Sequence, residues 1–374
     1  IRQNVRQPAI MLGDLQSQIA SLTVGEQAIL RLARRTGADH LARACRQLLD
    51  MSEAAMREVI TRMPDGVYAF EDFLDDDGIQ TDKPVRIHGQ VTIAGDRMIV
   101  DLSGCAGEVG GPINATLGSS SSAVYFAVVA AADRAIPANA GCYRPVEIIA
   151  PEGLIVSARH PAPVAHRIAP CHALLNVLFA ALSNAIPDRM PAAAYGVSYV
   201  CAFQTTAADG ARKVLVEIEV GGCGAHPSGD GASAHSFGMH NNAAIPIEMI
   251  ESDAPVTIVE YGLVEGSGGQ GRHRGGLGLR RTWRIDAETA TFTAQMDRFH
   301  FRPFGLAGGE PGSAGRLTLI RDGRADDKAR STKNKQANTR NLDAEIQRVT
   351  LADHHQIQRT RLRRDHDRAH NRRS

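Results

Sequence analysis

A chain of 374 residues that is 43% hydrophobic and 22% charged carries enough apolar material for a sizeable core, and its length predicts two domains. No apolar run is long enough to span a bilayer, the opening IRQNVRQPAIMLGDL has no signal-peptide core, and six scattered cysteines without a CxxC pair fit free thiols in a reducing cytoplasm better than a disulfide frame or a zinc knuckle. The net charge of +1 hides an asymmetry: residues 324–374 hold 14 Lys+Arg against 7 Asp+Glu, leaving 28 against 34 elsewhere, so a nucleic-acid role would rest on the tail alone.

Residues 9–63 read as helical. Asp14 is placed to cap a first helix in which Leu15, Ile19 and Leu22 recur at helical spacing, with Gly37 as its stop. A segment from Leu41 to Leu49 follows, and Ser52 is expected to cap a further helix carrying Met56, Val59, Ile60 and Met63 that Pro64 ends. Nothing in this stretch suggests chemistry. From residue 66 the period changes to two: Val85, Ile87, Val91 and Ile93 alternate with polar residues, turn at Ala94-Gly95-Asp96, and return as Met98, Val100 and Leu102.

Residues 110–133 place Asn114, Thr116 and four serines ahead of an apolar helix predicted from about Ser122. Serines there cap the helix, and its free N–H groups suit an anion such as a substrate carboxylate; plain capping is the alternative. Neither GxxxxGK[ST] nor GxGxxG is present. A polar loop, PANAGCYRP, precedes VEIIAPEGLIVSA, which reads as a hairpin turning at Pro151-Glu152-Gly153. A second long helix is expected from about Cys171 to Ile186. His160, His166 and His172 lie six apart, which matches neither helical nor strand spacing for metal ligands. A hairpin over 197–220 leads into Gly221–Asn242, GGCGAHPSGDGASAHSFGMHNN. This glycine-rich loop holds Asp230, His235 and His240, groups able to move protons or bind metal; a structural loop with solvated histidines is the other reading. The second glycine cluster, GSGGQGRHRGGLGLRR, sets Arg272 among glycines, suited either to a phosphate or carboxylate or to a solvated turn. Strands are predicted at 279–285, 290–296 and 315–320. Residues 324–374 contain no Gly, Pro, Cys, Met or aromatic residue, which predicts a disordered basic arm or a non-native reading frame.

The stretches DLSGCAGEVGGPINATLGSSSSAVYFAV, IPANAGCYRPVEIIAPEG, IPIEMIES, GSGGQGRHRGGLGLRR and FGLAGGEPG resemble, in order, the hydantoinase B/oxoprolinase (HyuB-type) family. The resemblance covers roughly the whole body, Leu12 to about Gly323. It implies one subunit of an ATP-dependent N-methylhydantoinase or 5-oxoprolinase, with a HyuA-type partner that binds ATP and Mg and phosphorylates the substrate. It also implies a divalent metal held by an upstream His/Asp segment that family members carry and this chain, which does not begin with Met, is expected to lack. A ketone carboxylase subunit of the acetone type and an inactive truncated remnant are the alternatives. The expected organisation is a helical segment at 1–64, a HyuB-type α/β body at 65–323 and a basic tail at 324–374. The fold class is mixed α/β (α+β): a helical layer, then β-hairpins with two long helices, then a mostly antiparallel C-terminal part. From residue type and place, Asp230 is the candidate base or ligand, His235 and His240 the candidates to shuttle protons or bind substrate, and Asn114, Asn139 and Arg272 the candidates to hold it. Turn formers and buried hydrogen bonders are the competing assignment for each.

Overall fold

The computed structural model describes residues 1–5, 8–133, 135–206, 212–287, 289–321, 324–327 and 348–353. In chain order its elements are α1 (Pro8–Thr36), α2 (Ala38–Thr61), β1 (Gly66–Leu74), β2 (Val85–Ala94), β3 (Arg97–Asp101), α3 (Leu117–Ala130), α4 (Ala140–Tyr143), β4 (Val146–Ile149), α5 (Ile168–Ser183), β5 (Tyr199–Thr206), β6 (Arg212–Glu219), α6 (Ile247–Asp253), β7 (Val256–Leu263), β8 (Leu279–Ile285), β9 (Thr289–Gln295), β10 (Gly315–Arg321), β11 (Arg324–Asp327) and β12 (Arg348–Asp353). This is the expected mixed architecture. Among the described residues no helix is long and apolar enough to cross a membrane. The chain divides into two compact units, residues 1–58 with 135–145, and residues 59–134 with 146–374.

The first unit holds α1, most of α2, and α4. Gly37, at φ +87, separates the two long helices, as a residue free to adopt that angle should. Two expectations fail here. Asp14 lies inside α1, and α2 runs unbroken through Ser52. Ser52 does not cap a helix because its hydroxyl is engaged elsewhere: it donates to the Pro137 carbonyl at 3.3 Å and accepts from Asn139 Nδ2 at 2.8 Å. Asn139 in turn accepts the Gly141 N–H at 2.8 Å and caps α4. A Cβ on Gly141 would fall 2.0 Å from the Leu49 carbonyl oxygen, so α4 rests on α2 only with glycine there. α1 buries no residue at all, although Leu15, Ile19 and Leu22 keep their helical spacing.

In the second unit β1, β2 and β3 form an antiparallel meander, turning at Gly95 as the alternation predicts. β4 then joins β3 in parallel. The expected hairpin over 146–157 is therefore absent: past Gly153 the chain leaves the sheet, and Leu154 only bridges Gly107. α5 lies across β1 and β2, and a Cβ on Gly89 would sit 3.0 Å from Leu178 Cδ2. Every residue from Ala169 to Leu182 is buried. α3 packs on α5, with Phe126 and Phe179 ring centroids 6.5 Å apart. α3 starts at Leu117, so Ser119–Ser122 form its first turns and do not precede it.

The remaining strands make a three-stranded sheet, β6-β5-β9, and a five-stranded sheet, β11-β10-β12-β8-β7. All their pairings are antiparallel. A shared core of Phe203, Trp283, Phe292, Met296, Val256 and Leu317 joins them. Of the 324–374 tail, the described residues are two short strands: β11 pairs with β10, and β12 lies between β10 and β8. The rest of the tail lies outside the described residues.

Candidate functional site

Three loops of the second unit meet in a cleft of about 590 Å³: the stretch after β6, the β7–β8 connection and the β9–β10 connection. Glycine makes the meeting possible. A Cβ on Gly231 would fall 2.1 Å from the Cys223 carbonyl oxygen, one on Gly276 1.9 Å from that of Ala232, and one on Gly269 2.1 Å from that of Glu310. The loops therefore pack backbone on backbone and exchange main-chain hydrogen bonds. Gly276 N–H donates to Cys223 at 2.8 Å, Gly231 N–H to Arg274 at 2.8 Å, and Glu310 N–H to Gln270 at 2.8 Å. The two glycine clusters of the sequence are thus two faces of one interlocked structure.

The third loop is anchored from below by carboxylates at the end of β1. Asp75 accepts the N–H groups of Phe299, His300 and Phe301 at 2.7, 3.0 and 2.9 Å. Buried Arg298 holds an αL backbone at φ +69 and meets Asp72 at 2.6 Å. Gly196 is needed beside it, since a Cβ there would lie 2.5 Å from Arg298 Nε. Apart from Asn184 and three serines, the side chains with chemistry on the cleft wall are Tyr195, His226, Gln270, Arg272, His273, Glu310 and Cys223. Burial pushes the Cys223 thiol up to about 11, so it is protonated near neutrality and a poor nucleophile.

Behind the cleft wall lies a cluster of imidazoles. His172, on α5, has no exposed surface, and both its ring nitrogens are buried without a hydrogen-bond partner. Its ring centroid is 4.5 Å from that of His240. Tyr195 and Phe237 meet it edge-on at 6.3 and 5.9 Å. His240 Nδ1 lies 2.7 Å from Ser198 Oγ, which lies 3.3 Å from the Tyr195 hydroxyl. Buried His166 also leaves its Nε2 without a partner. Burial, then the neighbouring imidazoles, holds His172 down to about 3. Burial holds His166 down to about 4, against the pull of Gln295, and lowers His240 as well. All three rings are therefore neutral near pH 7. Among the described residues no group of three or more His, Cys, Asp and Glu side chains is placed to hold a metal ion.

The Hydantoinase B/oxoprolinase family model matches residues 1–359. The chain belongs to the hydantoinase B/oxoprolinase family. It is 31% identical over 329 residues to the B-type subunit of a putative D-/L-hydantoinase from a Pseudomonas sp. strain, covering 85% of this chain and 55% of that protein. It is 32% identical over 286 residues to the beta subunit of the Pseudomonas jessenii caprolactamase, covering 74% and 48%. The crystal structure of the ATP-dependent caprolactamase from that organism superposes with a TM-score of 0.80 and 27% identity, over 93% of this chain and 60% of that one. A nucleotide-free acetone carboxylase structure, at 16% identity and a TM-score of 0.66 over 80% of this chain and 46% of that one, shares the fold. The chain thus spans about half the length of these curated relatives.

Within this hydantoinase B fold the residues singled out from sequence are dispersed. Asp230 is half-exposed at the second loop: its carboxylate accepts the Arg274 N–H at 3.0 Å and faces Arg274 Nε at 3.4 Å and His273 Nδ1 at 3.9 Å. Arg272 is exposed on the cleft wall. His235 is exposed, and its N–H donates to the Gly221 carbonyl at 3.0 Å. His240 joins the imidazole cluster. Asn114 is fully buried, donating through Nδ2 to the carbonyls of Val109, Gly111 and Pro163 and accepting the Val109 N–H. Asn139 lies in the first unit, where it caps α4. Sequence reasoning did not bring His166 and His172 to His240, nor single out Tyr195 and Ser198. The available signal was His172 itself, one imidazole inside the otherwise apolar run CHALLNVLFAAL.

Proposed function

We propose that this chain works in the ATP-dependent opening of a cyclic amide, as part of a subunit that acts with a HyuA-type partner carrying ATP and Mg in the cytoplasm. The observation that carries the reading is the likeness to the ATP-dependent caprolactamase structure over 93% of the chain. The relative described as a putative D-/L-hydantoinase supports the same class of substrate, a ring holding an amide bond. In this reading the partner phosphorylates the amide oxygen and makes the carbonyl carbon electrophilic. Water adds to that carbon, the ring C–N bond breaks as its nitrogen takes up a proton, and a second water hydrolyses the resulting acyl phosphate to the carboxylate and inorganic phosphate.

The cleft suits the ring, because about 590 Å³ falls in the ordinary range of small-molecule sites, about 300–1,000 Å³. Arg272 and His273 on its wall supply positive and hydrogen-bonding groups for a phosphoryl or carboxylate oxygen. Asp230, already engaged by Arg274, orders that turn in this reading and leaves the activation of the attacking water to a base elsewhere in the complex.

The test is co-expression of the full chain with a HyuA-type partner. Phosphate release and ring opening are then followed on hydantoin, 5-oxoproline and caprolactam. The expected result is a stable complex whose ring opening requires ATP and falls at least tenfold in Arg272→Ala. A complex that opens none of the three rings with ATP, or opens them equally well without it, would overturn the reading.

A further inference from the structure

The hydrogen-bond chain that ends on His240 has a direction, and a backbone amide sets it. Phe237 N–H donates to the Tyr195 hydroxyl oxygen at 3.3 Å. An amide can only donate, so the tyrosine proton must find another acceptor. The Tyr195 side chain is buried, and the acceptor within reach is Ser198 Oγ at 3.3 Å. Ser198 thus accepts from Tyr195 and turns its own proton to its other partner, His240 Nδ1, at 2.7 Å. A ring nitrogen that accepts carries no proton, so neutral His240 bears its proton on Nε2.

Nε2 is the free end of this chain. Among the described residues the Ser198 contact is the hydrogen bond His240 makes through its ring, and Nε2 is not one of the buried atoms left without a partner. It therefore reaches solvent as an N–H donor. The groups facing His240 from other elements are His172 of α5, His166 from the loop before it, and Tyr195 and Ser198 from the segment before β5. None of these is a carboxylate, so among the described residues nothing there stabilises an imidazolium. Behind the ring, fully buried His172 has two nitrogens in need of partners, covered by Gly238 at φ +65, whose Cβ would lie 3.8 Å from His172 Nε2. Polar capacity is thus stored next to an open donor, which points to a ligand bearing hydrogen-bonding groups of its own.

We infer that Tyr195 and Ser198 are positioning residues that lock His240 in its Nε2–H tautomer, and that a small cyclic amide seated in the cleft, whose wall includes Tyr195, extends its carbonyl oxygen past that wall to His240, which acts as a neutral hydrogen-bond donor to it and to its tetrahedral adduct. A preset neutral donor costs no proton transfer as charge develops on that oxygen. His240 is then neither base nor nucleophile, and Ser198, turned toward it in a buried position, serves its geometry. The tautomer follows from the hydrogen-bond chain alone; the catalytic role rests on the cyclic-amide reading.

Long-range ¹H–¹⁵N correlation spectra of the ¹⁵N-histidine-labelled chain read the tautomer without any assay, with His240 assigned by the signals lost in His240→Gln. The expected wild-type pattern is Nε2–H alone. In Ser198→Ala it becomes a mixture of both tautomers, and Tyr195→Phe, a milder change, weakens the preference in the same direction. A wild-type Nδ1–H pattern, or folded Ser198→Ala and Tyr195→Phe proteins with the wild-type tautomer, would overturn the inference. In the active complex His240→Gln, which keeps an N–H donor near the Nε2 position, should stay within about tenfold of wild type in kcat, whereas His240→Leu should lose about 10²–10³-fold, the range for removing one donor to a developing oxyanion. Equal losses in the two variants would refute the donor role. If the wild-type complex opens no ring, the cyclic-amide reading fails by itself, and titration with caprolactam decides the rest: a shift of the His240 Nε2–H signal supports the donor, and an unmoved signal rules it out.

Discussion

The imidazoles of His166 and His172 and the carboxylates of Glu217 and Glu219 are buried in the same unit, but their surroundings differ in kind. Glu217 and Glu219 point from β6 to the guanidinium of Arg281 on β8, at 2.7 and 3.4 Å. Trp283 Nε1 donates to Glu217 at 2.5 Å, and Arg281 lies over the Tyr261 ring at 4.6 Å. Each charge there faces an opposite charge, although Glu219 Oε1 and Arg281 Nε and Nη2 lack a well-formed hydrogen bond, and the cluster links the two C-terminal sheets around the Trp283 core. The imidazole cluster has neutral rings, aromatic neighbours and three nitrogens, both of His172 and Nε2 of His166, without a hydrogen-bond partner. Paired opposite charges are what a fold needs at a sheet-to-sheet contact. A set of neutral rings with no ion among them, next to an open donor on His240, is what a binding site leaves for its ligand.

The comparison breaks most visibly on the carboxylate side. Removing the shared cation in Arg281→Met strands two buried carboxylates, and the expected cost is about 3–5 kcal/mol in chemical denaturation, the scale for breaking a buried ion pair. A loss under about 1 kcal/mol would show that water already solvates the pair. On the imidazole side the sign reverses. His172→Leu replaces a ring with unpartnered nitrogens by an apolar side chain of similar volume in an apolar helix. The expected outcome is unchanged stability or a gain of up to about 1–3 kcal/mol at pH 7. A clear loss of stability would mean that His172 is hydrogen-bonded in solution, and the contrast between the two clusters would disappear.

Much of the fold was legible from local pattern. The β1–β3 meander follows from alternating Val85, Ile87, Val91 and Ile93, which are all buried on one face. α5 follows from an apolar run too long for a strand. What was not legible depends on partners distant in the chain. Ser52 has the chemistry of a helix cap, and only Pro137 and Asn139, brought to it by tertiary structure, divert it. α1 has an apolar stripe like that of any packed helix, yet Ile19, Leu22 and Ile29 are exposed, because spacing reports a face and not whether anything covers it. β4 could not be assigned as parallel from its sequence, since a hairpin and a crossover strand carry the same apolar residues. The candidate site was half visible. Glycine clusters and Arg272 marked two of the three cleft loops, whereas the pairing of His172 with His240 and the Phe237–Tyr195–Ser198 chain require the folded backbone.

The smallest effect, and the one that sets the two clusters directly against each other, is the dependence of stability on pH. Burial raises Glu219 to about 7, with Arg281 opposing and Glu217 adding to the rise, so the folded chain keeps a proton there that the unfolded chain, near the ordinary glutamate value of 4.5, releases. Stability from this group is full below about 4.5 and is lost as pH rises through about 7. His166 and His172 are lowered from 6.5 to about 4 and about 3, so the unfolded chain takes up protons that the folded chain refuses. Stability from these groups is full above 6.5 and is lost as pH falls toward 4 and 3. Each group contributes at most about 1.4 kcal/mol per pH unit inside its window. The slopes oppose each other between 4.5 and 6.5, and below 4.5 only the imidazole loss remains. Denaturation midpoints measured from pH 4 to 8 should therefore peak near pH 6–7 and fall more steeply on the acid side. Glu219→Gln should flatten the alkaline side and steepen the fall between pH 6.5 and 4.5, where its slope had opposed that of the imidazoles; His172→Leu should flatten the acid side and leave the alkaline side alone. If both substitutions flatten the same side, the two clusters do not titrate independently, and the division between a network that completes the fold and one left open for a ligand does not hold.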